Sequence, residues 1–179
     1  MEHQEEVINP ALMLAVSRMK ENNNLITQNK MIEEALHARF LVPCTVQARP
    51  GTEQEANRNS ENTQMNFSMV KNPEGVSYFM AFTDTGEAEK WKEFNKQKVL
   101  FMIMSFDDLG DLIRRAGDQS NGFVLNPGTT NITFQKHIIA EIIVNRNKAI
   151  AEGKIKDVSS RTTADEVRAE AEENNKDEA

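Results

Sequence analysis

Cys44 is the only side chain in this sequence of 179 residues that could act as a thiol nucleophile. A reactive thiolate needs a nearby base or a helix N-terminus to lower its pKa. Cys44 instead follows Pro43 inside a segment rich in strand-forming residues, with His37 as the nearest imidazole in the sequence. We therefore interpret Cys44 as an inert, packed thiol. A single cysteine cannot form an internal disulfide, which fits a reducing compartment.

The histidines and carboxylates have no spacing typical of a metal or catalytic site. Neither His37 nor His137 has a second ligand at the spacing of an HxxxH or CxxC motif. Asp107 and Asp108 follow a serine, which is typical of a helix N-terminus where carboxylates complement the helix dipole. The sequence also lacks a glycine-rich phosphate loop and a nucleophile elbow. We therefore predict no cofactor, no metal and no catalytic residue.

The net charge narrows the range of partners. The sequence has 21 Lys plus Arg against 28 Asp plus Glu, a formal net charge of −7, and no basic stripe. This argues against nucleic acid as a partner, because duplex binding relies on a concentrated basic surface. The N-terminus lacks the basic and apolar regions of a signal peptide, and the apolar stretches are too short to span a bilayer. We expect a cytoplasmic protein that binds a protein partner or associates with itself.

Hydrophobic periodicity predicts the helices that carry the fold. A first helix should begin after Asn9, which is placed as its N-cap, and a second should begin near Thr27. A short helix is expected over 87–94, and another should begin after Ser105. The last predicted helix covers 135–152. Its isoleucines form a wide apolar band over Ile138–Ile150, which either folds back onto the sheet or contacts another molecule.

All the predicted strands lie between the second helix and the last one. Residues 39–46 favour a strand. Because Pro43 cannot donate a backbone hydrogen bond, we expect this strand to lie at an edge of the sheet, or to be bulged or broken at Pro43. Residues 65–69 and 76–82 are expected to form an antiparallel hairpin. Residues 99–104 are apolar throughout, which predicts a central strand buried on both faces.

These elements predict an α+β fold, in which a mixed, largely antiparallel sheet of about five strands is covered by helices and a long C-terminal helix follows. We assign residues 1–24 to an N-terminal helix and residues 25–153 to the domain with its closing helix. Residues 154–179 are acidic and poor in large aliphatic side chains, so they cannot offset the entropy of ordering themselves. They are predicted to form a mobile acidic tail.

Three segments of the sequence together resemble a known family. They are 31–43, which runs from a helix into a Phe-Leu-Val-Pro strand; 78–84, whose Phe-Thr end precedes Trp91; and 122–128, with its Gly-x-x-x-Asn-Pro pattern. In this order they are similar to the N-terminal domain of the SseB family, named for enhanced serine sensitivity. The resemblance implies a compact bacterial α+β domain without an established catalytic activity. Many relatives carry a second domain of the same family, and this sequence departs from that longer pattern.

The predicted binding site combines residues from all three of these segments. We expect one groove for a peptide or partner protein, lined by Arg39, Phe82, Thr83, Asp84, Asn126, Pro127 and Gly128. Pro127 suits the first central position of a turn and Gly128 the positive φ of the second. The alternative is that the Asn126 side chain binds main-chain groups and fixes a neighbouring loop.

These observations favour a non-catalytic protein-binding or regulatory module of the SseB type, which docks a partner peptide or helix. Two alternatives stay open. One is an enzyme or enzyme accessory in serine or sulfur metabolism, which only the name of the family suggests. The other is a self-assembling structural component.

Overall fold

The structure is a computed structural model that describes residues 6–48, 63–91 and 99–156. Its helices are α1 (Pro10–Glu21), α2 (Leu25–His37), α3 (Thr85–Glu89), α4 (Phe106–Ala116) and α5 (Lys136–Ala151). Its strands are β1 (Arg39–Ala48), β2 (Thr63–Phe67), β3 (Met69–Lys71), β4 (Ser77–Ala81), β5 (Leu100–Ser105), β6 (Gly122–Leu125) and β7 (Ile132–Gln135). The chain divides into two compact units, Met1–Val144 and Asn145–Ala179, and all the strands lie in the first.

The described strands form two sheets, so the fold is α+β as predicted, with seven strands rather than about five. The first sheet has the order β2-β1-β5 and is antiparallel throughout. The second has the order β3-β4-β6-β7, in which only β4 and β6 are parallel. The two sheets meet where Leu41 of β1 and Phe82 exchange two backbone hydrogen bonds of 2.9 Å.

Pro43 occupies a gap on one side of β1. Along that side, β1 meets Phe82 at Leu41 and pairs with β2 only from Cys44 onward. The Pro43 carbonyl accepts a hydrogen bond of 2.9 Å from the Ser68 N–H. Proline has no N–H to donate. It therefore fits between the pairing of Leu41 with Phe82 and the pairing of β1 with β2, where no neighbouring strand requires an N–H donor. The prediction for this strand is therefore wrong: β1 is the central strand of its sheet and continues through Pro43 in unbroken register with β5, and only the pairing on the other side is interrupted.

The predicted hairpin is confirmed only for β3 and β4, where Met69 lies opposite Phe79. Residues 65–67 of the same alternating run belong instead to β2 (Thr63–Phe67), which pairs with β1 in the other sheet. Ser68 separates the two strands. One period-2 run therefore supplies a strand to each sheet.

A strand forms as predicted at residues 99–104, but both its predicted central position and its predicted burial on both faces are wrong. β5 is an edge strand that pairs only with β1 among the described strands, and Leu100, Met102 and Ile103 are exposed. An apolar run favours a strand, but its neighbours in the sheet are decided by pairing with distant residues.

Helices α1, α2, α4 and the first part of α5 pack against the sheets around an aromatic cluster. Phe123 stacks on Phe134 with ring centroids 4.8 Å apart, and Phe106 meets Phe123 edge-on at 5.8 Å. Ile139 of α5 is buried in this core and Ile142 and Ile143 pack against it, whereas Ile138 is exposed. α3 ends at Glu89 and is shorter than predicted. No helix in the described ranges combines the length and the apolar character needed to cross a membrane.

Local capping agrees with the sequence pattern at two helices. The Ser105 hydroxyl accepts from the Asp108 N–H, and the Asp108 carboxylate accepts in return from the Ser105 N–H at 2.8 Å. This capping box confirms the predicted start of α4. α2 begins at Leu25, slightly before the predicted start, because Asn24 is the N-cap and Thr27 completes its capping box.

Gly122 allows β6 and β7 to approach each other closely. Its φ is +138°, and an added Cβ would overlap the carbonyl oxygen of Phe134. We expect Gly122→Ala to lower the free energy of unfolding by about 3 kcal/mol or more, because backbone would have to move. Urea denaturation measures this loss.

The matched control is Gly75→Ala. Gly75 also has a positive φ, +82°, but an added Cβ would meet no atom within 4 Å. This variant should lose only about 1 kcal/mol, the cost of the backbone conformation. Equal losses in the two variants would contradict the close-approach explanation.

Candidate functional site

Asn126 is fully buried at the end of β6, and its side chain is hydrogen bonded at both ends. Its Oδ1 accepts from the Thr83 N–H at 2.9 Å, and its Nδ2 donates to the Thr83 hydroxyl at 2.9 Å. The backbone N–H of Asn126 donates to the Ala81 carbonyl at 2.9 Å. Its φ of +46° is a conformation that asparagine tolerates better than most residues. The interpretation that Asn126 binds main-chain groups and holds a neighbouring segment is therefore confirmed.

Asn9 makes the complementary contacts on the other side of Thr83. Its Nδ2 donates to the carbonyl oxygens of Arg39 at 2.6 Å and Thr83 at 2.7 Å. Its Oδ1 accepts from the Arg39 N–H at 3.2 Å. Asn9 is the N-cap of α1 as predicted, but its side chain makes no hydrogen bond to that helix. Sequence analysis missed this role, because an Asn before Pro is also typical of an ordinary helix cap.

Together, these two asparagines close the junction between the sheets. Beyond the contact of Leu41 with Phe82, none of the described strands pairs with the backbones of Arg39 and Thr83 on the facing sides. Side-chain amides carry the same donor and acceptor as a peptide group, so they satisfy the buried N–H of Thr83 and the more exposed backbone groups beside it where the strands diverge. We call Asn9, Arg39, Thr83 and Asn126 the junction network.

The structure places the seven predicted groove residues at different depths. Phe82, Thr83 and Asn126 are fully buried. Phe82 belongs to a second, smaller core, with its ring 6.1 Å from Trp91 and 6.3 Å from Phe101. These three residues therefore form the base beneath the turn, and direct contact with a partner would fall to the other four.

The other four predicted residues reach the surface, and two of them also shape the backbone. Asp84 caps α3 by accepting from the Glu87 N–H at 2.9 Å. Gly128 has a φ of +91° within a turn closed by the Thr129 N–H and the Asn126 carbonyl at 3.2 Å. This geometry agrees with the predicted turn. The Arg39 side chain is exposed and Pro127 is partly exposed. A binding role for these residues stays a prediction.

Pro127 also borders a depression on the outer face of the second sheet, the face opposite the aromatic core. The depression has a volume of about 460 Å³ and is open to solvent. Its apolar floor consists of Val70, Tyr78, Val124 and Pro127. Its polar rim consists of Lys71, Asn72, Asn131, Thr133 and Gln135. We call this feature the outer depression. It receives residues from all four strands of the sheet, and sequence analysis found only Pro127 of its lining.

Cys44 has the surroundings of a structural thiol. Its side chain is buried, and burial raises the pKa of the thiol above its ordinary value. The thiol is therefore protonated at neutral pH, whereas nucleophilic attack requires the thiolate. Within the described ranges, no three side chains among His, Cys, Asp and Glu are grouped so that they could hold a metal ion.

The junction network predicts a large stability loss when the Asn126 amide is removed. Asn126→Ala leaves the buried Thr83 N–H without a partner, and we expect it to lower the free energy of unfolding by about 2–4 kcal/mol. The control is Asn131→Ala. Asn131 also has a positive φ, +52°, but its side chain binds the Gly128 N–H at an exposed site. That variant should lose about 1 kcal/mol, and similar losses in urea titrations of both variants would contradict the role of the buried amide.

The burial of Cys44 predicts slow reaction with a thiol reagent. In the folded protein at neutral pH we expect labelling with Ellman's reagent to be roughly a hundredfold or more slower than in urea, because labelling requires the chain to open. Val46→Cys is a matched control, since Val46 lies on the same strand with an exposed side chain. Its thiol should react quickly. Rapid labelling of the native Cys44 would instead support a reactive thiolate.

Comparison with known proteins agrees with the resemblance seen in the sequence. The family model described as SseB protein N-terminal domain matches residues 12–141, more than two thirds of the chain. No curated protein and no solved structure matches the chain. The matched region runs from α1 into α5 and includes both sheets, the turn at residues 126–129 and the outer depression. The chain therefore belongs to the SseB family and contains its N-terminal domain.

Proposed function

We propose that this protein is a non-catalytic protein-binding module of the bacterial cytoplasm, which docks an extended peptide segment of a partner in the outer depression. The observation that carries the proposal is the composition of the lining. Lys71 is its one charged residue and no carboxylate is present, although the chain as a whole has a net charge of −7. The lining is thus a neutral-to-basic site on an acidic protein, and it suits a segment with an acidic residue.

The floor and the rim favour different parts of such a segment. Val70, Tyr78 and Val124 provide an apolar surface for an aliphatic or aromatic side chain. The amides and the hydroxyl of the rim can both donate and accept hydrogen bonds, as a peptide backbone requires. Lys71 can pair with a carboxylate beside the apolar side chain. The open shape favours a peptide over a small molecule, because small-molecule sites enclose most of their ligand.

The floor is firmly held before any partner binds. Tyr78 and Val124 are only 7% and 8% exposed, and the Tyr78 hydroxyl accepts a hydrogen bond of 3.2 Å from the Asn121 side chain. Below them, the turn that carries Pro127 is fixed by the buried Asn126. Binding would therefore cost little conformational entropy on the protein side. In this proposal the junction network is the support of the site rather than its contact surface.

Selection of peptides from a random phage-displayed library tests the proposal directly. We expect the selected peptides to carry an aliphatic or aromatic residue next to Asp or Glu. Fluorescence polarisation of one such peptide should show that Lys71→Glu weakens binding about fivefold to tenfold, through the lost charge pair and a new repulsion. The control is Lys20→Glu on α1, which changes the net charge equally at an exposed site outside the depression. Equal weakening by both variants would contradict the site.

A steric variant tests the depression without changing the charge. Thr133 is exposed on β7, so Thr133→Trp should fill part of the depression while the fold is retained. We expect the selected peptide to lose most of its affinity, with circular dichroism unchanged. Full affinity in this variant would place the peptide elsewhere.

A further inference from the structure

Two asparagines in the lining of the outer depression offer hydrogen-bond donors rather than acceptors. The Oδ1 of Asn72 accepts from the Val76 N–H at 2.8 Å, and the Oδ1 of Asn131 accepts from the Gly128 N–H at 2.8 Å. These bonds turn the oxygen of each amide toward its own turn, so the Nδ2 is the atom left to meet a ligand. Neither Nδ2 has an acceptor among the residues that the structure describes.

Two further donors lie at the same end of the depression as Asn72. The Tyr78 hydroxyl accepts from the Asn121 side chain, which leaves its own proton free to donate. Lys71 is the last residue of the edge strand β3, and its ammonium forms no ion pair within the described ranges. Its flexible four-carbon stem lets the ammonium reach a ligand over the end of the sheet. We call Lys71 and Asn72 the donor corner.

A ligand group at the donor corner must accept hydrogen bonds without donating them. An ionised carboxylate is such a group, because it has two oxygens and no proton. It also has the negative charge that pairs with the Lys71 ammonium. A phosphate would add a second negative charge that Lys71 alone does not balance. The donor corner therefore fits a carboxylate.

The apolar floor begins directly beside this corner. Val70 precedes Lys71 on β3 and lies opposite Tyr78 of β4 in the register. Side chains paired in this way have Cβ atoms about 4.5–5.5 Å apart and interact with each other. A carboxylate bound at the donor corner therefore lies close to a surface suited to an apolar side chain of the same partner.

The geometry of an extended peptide decides which carboxylate meets both requirements. Successive side chains point to opposite sides, so an internal Asp or Glu faces away when the apolar residue next to it faces the floor. The last residue of a chain has its carboxylate and its side chain on the same Cα, and both can face the sheet. A chain that continued would also place N–H groups at a corner where the Asn72 Oδ1 is already occupied.

We infer that the outer depression binds the C-terminus of its partner, an inference that rests on the peptide-binding function proposed above. The terminal carboxylate accepts hydrogen bonds from Lys71 and Asn72, and the last side chain, Val, Ile or Leu, packs on Val70 and Tyr78. An internal Asp or Glu, as in a displayed peptide without a free C-terminus, is a weaker substitute.

The position of Asn131 sets the direction of the peptide. Asn131 precedes β7, at the corner of the sheet opposite to Asn72, and β7 is three strands away from β3. Neighbouring strands are about 4.8 Å apart, so the peptide crosses roughly 14 Å of the sheet. The Nδ2 of Asn131 then donates to a backbone carbonyl several residues before the C-terminus.

Peptides with a free and a blocked C-terminus test this inference. A library of short random peptides, attached to beads through their N-termini, is offered to the full chain. We expect the selected peptides to end in Val, Ile or Leu. The C-terminal amide of the same peptide lacks the charge and turns a donor toward donors. Fluorescence polarisation should therefore show an affinity about tenfold lower, or less.

Asn72→Asp tests the same contact from the side of the protein. The Asp carboxylate can still accept from the Val76 N–H and hold the turn, but it replaces the amide donor by an oxygen that repels a carboxylate. We expect the free-acid peptide to bind about tenfold more weakly, with circular dichroism unchanged. The control is Asn24→Asp, the same change of charge at the N-cap of α2, where the side chain also accepts from backbone N–H groups.

The outcomes separate this inference from the proposed function. Equal affinity of the acid and the amide, with binding still weakened by Lys71→Glu, would overturn the inference and leave the proposed function standing. Equal weakening by Asn72→Asp and Asn24→Asp would overturn the donor corner. If no selected peptide depends on Lys71, both the inference and the proposed function are wrong.

Discussion

This fold depends on the junction between its two sheets, and two side-chain amides stabilise that junction. The strands diverge beyond Leu41 and Phe82, and a buried peptide group left without a partner there would be costly. Asn126 satisfies the N–H of Thr83, and Asn9 satisfies its carbonyl together with both backbone groups of Arg39. Because Asn9 precedes α1, the same contacts also fix the start of the first helix against the sheets.

This arrangement separates structural roles from binding roles. The polar residues Thr83 and Asn126 are fully buried, and their role is to satisfy hydrogen-bonding groups of the backbone. In the function proposed above, contact with a partner falls instead to the outer depression, where Lys71 lies beside an apolar floor. The junction network then supports the binding surface without being part of it.

The sequence predicted those elements whose cause is local. Ser105 and Asp108 form the expected capping box, and the turn at 126–128 has the expected positive φ at Gly128. Prediction from the sequence failed where the position of an element depended on pairing with residues far away in the chain. β5 is apolar but lies at an edge, and the run on either side of Ser68 is shared between two sheets. Asn9 was recognised as a cap position, but its side-chain partners lie 30 and 74 residues away in the chain.

By itself, the sequence determined the α+β class, the membership of the SseB family and the positions of most helices and strands. Helix caps, turn residues and hydrophobic periodicity act within a few residues, so they can be recognised without coordinates. Only the tertiary structure decided that Asn126 and Thr83 are buried and which strand edge is left exposed. Hydrogen bonds between segments far apart in the chain decide both, and no local pattern encodes which segments will meet.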